Sequence, residues 1–288
     1  MFATLSRSWE FAKVSYRMLW DHKQLLVFPI ISTVAATIVI ASFLLPLWGT
    51  GTLQHWQEFT DTSGDTGGHY WLWFVLFLFY FCNYLVIVFF NSGLTACVLQ
   101  VLRGEAPTLG HGFSMASKRL PQIVAWAAFA AVVGVLIKVI ENSHEKAGAI
   151  IAAVLGSAWT ALTYFVVPVI VIEGLGPIGA FKRSVGTLKE SWGTALVGNF
   201  SMGLLSILVM LPLILIAGGL VFLGFTSGSL PLLVLGIAVG AMLVVIGAAA
   251  SSAADMVFTV LLYHWATGEM MPAEVDTQGF EEAFRPRG

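Results

Sequence analysis

The residue best placed to do chemistry in this 288-residue chain is Asp255, an acid set in the apolar run AASSAADMVF. An ionisable group deep in a membrane helix costs about 2.5–3.5 kcal/mol or more, so it needs a partner, water or a use. A carboxylate facing a wet cavity can hold a cation or a proton. One facing another helix can accept a hydrogen bond, and Asn83, Asn91 and Asn199 are amides in neighbouring apolar runs. Asn83 and Asn91 stand eight residues apart, roughly two turns of a helix, and so share a face. Lys138 and Glu141 have the i, i+3 spacing of an intrahelical ion pair, and Lys138 can also snorkel to the surface. Asp255, Asn83, Asn91, Asn199, Lys138 and Glu141 are therefore the candidates for a polar path. Glu173 closes an apolar run shortly before Lys182 and Arg183. Pairing with either would fix a basic helix against the bundle.

Other chemistries find less support. The six histidines (His22, His55, His69, His111, His144 and His264) are dispersed, and none has the His-Glu-x-x-His spacing of a zinc site. His264 reads as an interfacial hydrogen-bonder, with Tyr263 and Trp265 beside it in an aromatic belt. DTSGDTGG lacks the spacing of a calcium loop. Gly174, Gly176 and Gly179 do not follow a strand, so they provide a turn and no nucleotide loop. A nucleophilic Ser92 would need a base within hydrogen-bond reach, which spacing alone does not supply. Glu281, Glu282 and Arg285 lie in a polar tail. Cys82 and Cys97 are too far apart along one helix to bridge and read as packing residues. No catalytic residue, metal site or cofactor is expected, and the chain is not read as an enzyme.

The elements that position these residues follow from composition. Mean hydropathy is +0.86. Charged residues make up 10% of the chain, against about 25% in a soluble domain. So much apolar surface requires lipid as part of the solvent, and a net charge of −2 gives no footprint for nucleic acid. Runs of about 20 apolar residues or more lie near 24–48, 70–102, 121–141, 147–172, 195–223 and 230–266. This predicts an all-α polytopic membrane protein of six transmembrane helices in three hairpins. One transmembrane domain covers 1–270, with a tail over 271–288. The opening residues show no cleavable leader, so the first run is expected to stay as a helix. Gly93 is expected to kink the second span and Pro212 to bend the fifth.

Arg7, Lys13, Arg17 and Lys23 precede the first span; Arg103, Lys118 and Arg119 follow the second. Lys182, Arg183 and Lys189 follow the fourth, and Arg285 and Arg287 close the chain. Of the 14 basic residues only Lys138 and Lys146 fall on the other side. The positive-inside rule then puts both termini in the cytoplasm, in a bacterial inner membrane. On the outer side, 49–69 is a polar loop and ENSHE and FTSGS are short turns that demand antiparallel neighbours.

One apolar stripe recurs ahead of each hairpin: Leu5, Trp9, Ala12, Tyr16; then Leu109, Phe113, Ala116, Leu120; then Phe181, Val185, Leu188, Trp192. Each steps by four, three and four, with cations on other faces. Three units are expected, each an amphipathic interfacial helix followed by a hairpin. Their partners would be the bilayer and its anionic headgroups.

Three passages carry a resemblance: SWEFAKVSYRMLWDHKQLLVFPIIS at the start, PVIVIEGLGPIGAFKRSVGTLKESWG in the middle, and VLLYHWATGEMMPAEVDTQGFEEAF near the end. The chain resembles an uncharacterised family of bacterial and archaeal six-helix membrane proteins with a domain of unknown function. That resemblance implies a fold and brings no activity. The residues lean toward a channel or permease for ions or small solutes, with a homo-oligomer among its expected forms; the alternative is a scaffold or assembly factor binding lipids or partner proteins through its basic helices.

Overall fold

In a computed structural model, residues 14–49, 70–142 and 147–268 are described, with the backbone alone at 70, 72, 190 and 192–201. All of it is helix and turn. A short helix α1 (14–21) leads through a 3-10 turn, Lys23–Leu26, into α2 (Val27–Gly49). After it come α3 (Tyr70–Leu102), α4 (Leu109–Lys118), α5 (Leu120–Asn142), α6 (Ala147–Leu162), α7 (Val166–Ile172), α8 (Pro177–Thr226) and α9 (Leu230–Ala266). Among the described residues six segments are long and apolar enough to cross a bilayer: Lys23–Gly49, Trp73–Leu102, Leu120–Asn142, Ala147–Ile172, Met202–Thr226 and Leu230–Ala266. The first three residues of the expected N-terminal stripe, the 49–69 loop beyond its first residue, most of the ENSHE turn, and the C-terminal tail lie outside the described residues.

Proline decides where the chain breaks. A proline removes an N–H and its ring clashes with the carbonyl four residues back, but it is tolerated in a helix's first turn. Pro121 is the second residue of α5, and α4 ends just before it; Pro29 is the third residue of α2, and the 3-10 turn Lys23–Leu26 separates it from the end of α1 at residue 21. Nothing comparable follows Phe181. The third amphipathic stripe therefore runs straight into its span, and α8 is one helix of 50 residues, about 75 Å long. This corrects the expectation of three separate interfacial helices. The fifth apolar segment correspondingly begins at Met202. Pro212 sits inside α8 without ending it, and α3 runs through Gly93 as one helix.

Pro168 does what Pro212 does not. The fourth span breaks at 163–165 into α6 and α7, with Pro168 third in α7. A break inside a membrane is tolerated only where the freed backbone groups find partners in protein. Ser184 on α8 supplies them: its Oγ donates to the Leu162 carbonyl at 2.8 Å and accepts from the Phe165 N–H at 3.1 Å.

The core lies toward one end of the bundle. Phe28 at the start of α2, Leu94 late in α3, Ile123 early in α5, Phe165 and Ile170 at α7, and Leu261 and Tyr263 late in α9 are all under 2% exposed. A ladder of rings ties α5, α6 and α8 there: Trp126 stacks on Trp159 at 5.8 Å, and Trp159 on Phe181 at 5.8 Å. At the opposite ends Trp48, Phe74, Leu136, Ile150 and Phe222 stay exposed, as helices solvated by lipid do. There α8 and α9 pack chiefly on each other. A Cβ on Gly236 would meet the Leu220 carbonyl oxygen at 2.7 Å, so glycine sets that approach.

Candidate functional site

The polar groups that come together do so at the basic end, around the turn after α7. Gly174, at φ +69°, reverses the chain there, a conformation in which a Cβ would be strained. Its N–H donates to the Ile170 carbonyl at 3.1 Å, closing the helix. Glu173 is thereby held at the helix end, its side chain 28% exposed. From α8, the Arg183 Nε donates to Glu173 Oε1 at 2.7 Å, and from α9 the Tyr263 hydroxyl donates to the same oxygen. That carboxylate, with help from the Tyr263 hydroxyl, holds the Arg183 guanidinium above its ordinary pKa, so it is cationic at any working pH. From the junction of α4 and α5, Arg119 Nε donates to the Val171 carbonyl at 3.2 Å, and its guanidinium packs against Gly174 where a Cβ would stand. Four helices thus converge on one turn.

Of the two cations considered for Glu173, the structure pairs Arg183, while Lys182 is exposed and its ammonium has no partner among the described residues. Tyr263 was expected in an aromatic belt. At 1% exposure it is instead a core residue, 5.7 Å from the Phe165 ring, with its hydroxyl on Glu173. Arg119 entered the sequence reading only as a topological cation, and Ser184 not at all. The signal for Ser184 is its place on the buried stripe of α8 that also holds Ala180, Thr187 and Leu188.

Among the described side chains, only Lys138 and Glu141 of the polar-path candidates pair with each other. Asn83 Nδ2 donates to the Phe79 carbonyl of its own helix at 2.8 Å. Asn91 is half-buried on the same helix, and the Asn199 side chain lies outside those described. Lys138 Nζ reaches Glu141 Oε2 at 3.1 Å near the far end of α5, both half-exposed. Asp255, expected to face the bundle or a wet cavity, is exposed on the surface of the single chain. Ala253, Ala254, Val257 and Phe258 take the inner face of α9, and the helical repeat turns Asp255 and Ser252 to the surface of the chain. One turn on, the Thr259 hydroxyl donates to the Asp255 backbone carbonyl at 2.8 Å. Among the described residues no histidine, cysteine or acid cluster could hold a metal ion.

Six apolar helices, packed at one end around a cross-linked turn, define a multi-pass membrane protein. Residues 71–271, more than two thirds of the chain, match a family of unknown function (DUF6159), and the chain belongs to that family. No curated protein matches it.

Proposed function

We propose that this protein is a membrane scaffold or assembly factor that works through its basic face, in a bacterial inner membrane with both termini in the cytoplasm. The observation that carries this is the filling of the bundle at that end. Phe28, Leu94, Ile123, Phe165 and Tyr263 occupy the space between the helices where a path through a single chain would have to run. Side chains packed in this way exclude water, and a solute would have to cross apolar surface. The same end carries the cations that suit anionic lipid or an acidic partner.

A second reading keeps the channel or permease, and Asp255 is what favours it. An acid on the outer surface of an apolar helix would be stabilised by lining a passage between copies of the chain. Ion flux in proteoliposomes separates the two, with wild type, Asp255→Asn and empty vesicles compared. Wild-type flux at the empty-vesicle level is the expected result. Flux well above it that falls with Asp255→Asn would replace the scaffold with an oligomeric pore.

A further inference from the structure

We infer that the turn from Glu173 to Pro177, with Arg119, Lys182 and Arg183 around it, seats the phosphate of an anionic phospholipid. The charge count at the turn comes first. Glu173 is matched by Arg183, and its Oε1 also accepts from Tyr263. Arg119 spends only its Nε, on an uncharged carbonyl, and its two terminal nitrogens have no hydrogen-bond partner among the described residues. Arg119, packed against the turn, and Lys182, in the second turn of α8, thus remain without an acid partner among the described residues.

The site is built before any ligand arrives. A guanidinium has five donors in a rigid fork, suited to two oxygens of one phosphate. Arg119 is oriented by the Val171 carbonyl and its contact with Gly174, Arg183 by Glu173. Arg119 keeps both terminal nitrogens for another acceptor, whereas Arg183 also engages the Tyr263 hydroxyl. α8 starts at this same turn with no side-chain cap, at Gly176 and Pro177, so its first amides add to the field.

The surroundings choose the source of the phosphate. Ile178, 63% exposed, lies one helical turn from Lys182, and Leu120, 41% exposed, adjoins Arg119. Both stand where the apolar spans end, at Leu120 and Ile172. Large apolar side chains exposed beside cations at a span's end fit a ligand that carries acyl chains with its phosphate. They do not fit a free anion.

This inference deepens the scaffold reading, which flux tests. Lipid retention tests the seat, so either can fail alone. The full chain is taken from vesicles of phosphatidylglycerol in phosphatidylcholine into mild detergent, and bound lipid is counted by native mass spectrometry. Phosphatidylglycerol should be retained and phosphatidylcholine should not. Lys182→Gln should lower the retained fraction about fivefold, the factor one basic residue contributes near anionic lipid. Lys182 is exposed and unpartnered, so this variant folds; Arg119→Gln should lose at least as much. Lys189→Gln, an exposed cation two turns along the same helix, should change little. Equal losses at Lys182 and Lys189 would mean diffuse attraction and overturn the seat. So would wild-type retention in Lys182→Gln, or displacement of the lipid by millimolar inorganic phosphate.

Discussion

Replacing Ser184 by alanine isolates what holds the broken fourth span together. The Ser184 hydroxyl is 0% exposed and bridges the two backbone groups that the break leaves free, the Leu162 carbonyl and the Phe165 N–H. Alanine removes both partners while changing volume by one oxygen. A buried hydrogen-bonding group left unmade costs about 1–3 kcal/mol. Two of them give about 2–4 kcal/mol once the turn's partial relaxation into the gap is allowed. That is a shift of roughly 30- to 700-fold in the unfolding equilibrium. Reversible unfolding in mixed micelles, followed by tryptophan fluorescence, measures it. Ser157→Ala is the control, since that exposed hydroxyl donates only to the Ala153 carbonyl of its own helix at 2.8 Å, and it should cost under about 0.5 kcal/mol. A Ser184→Ala variant within about 0.5 kcal/mol of wild type would refute the argument. It would mean that the 163–165 turn satisfies itself without α8.

Two further outcomes follow from the geometry. Gly112→Ala on α4 would drive its Cβ to 2.5 Å from Phe28 and 2.8 Å from the Gly93 carbonyl oxygen, costing about 1–3 kcal/mol; Gly110→Ala, with open space around it, should be neutral or better in the same assay, and equal effects would sink the packing claim. A green fluorescent protein fused after the last residue should fluoresce and an alkaline phosphatase fused there should be inactive, if the proposed cytoplasmic location of that end, read from the positive-inside rule, holds; the reverse pattern would invert the topology.

Much of the fold was legible because hydrophobic run length is a direct consequence of bilayer thickness. Six runs gave six spanning segments, and the short FTSGS turn made α8 and α9 antiparallel neighbours. What escaped was where helices stop. The three amphipathic stripes look alike in their spacing, yet only those followed by a proline at the head of a span, Pro29 and Pro121, end before it. Proline alone is not sufficient, since Pro212 passes through α8 unbroken. At Pro168 the break is stabilised by a serine that arrives from another helix. That partner is a tertiary fact, invisible in the local sequence.

The candidate site was legible in part for the same reason. Ion pairs set by short spacing, such as Lys138 with Glu141, need only the helix repeat, and the choice between Lys182 and Arg183 for Glu173 needs only the angle at which α8 leaves the turn. Asn83, Asn91 and Asp255 demand more, because a polar residue in a span can turn inward, bond to its own backbone, or face out. Asn83 takes the second course and Asp255 the third. The cost of a charge in lipid therefore argues for a partner without saying where that partner comes from. Glu173 finds its partners within the chain, in Arg183 and Tyr263. Asp255, turned outward on α9, must find water, a proton or another molecule. Flux through the wild type and Asp255→Asn bears on that residue, whereas lipid retention bears on the opposite charge, at Arg119 and Lys182.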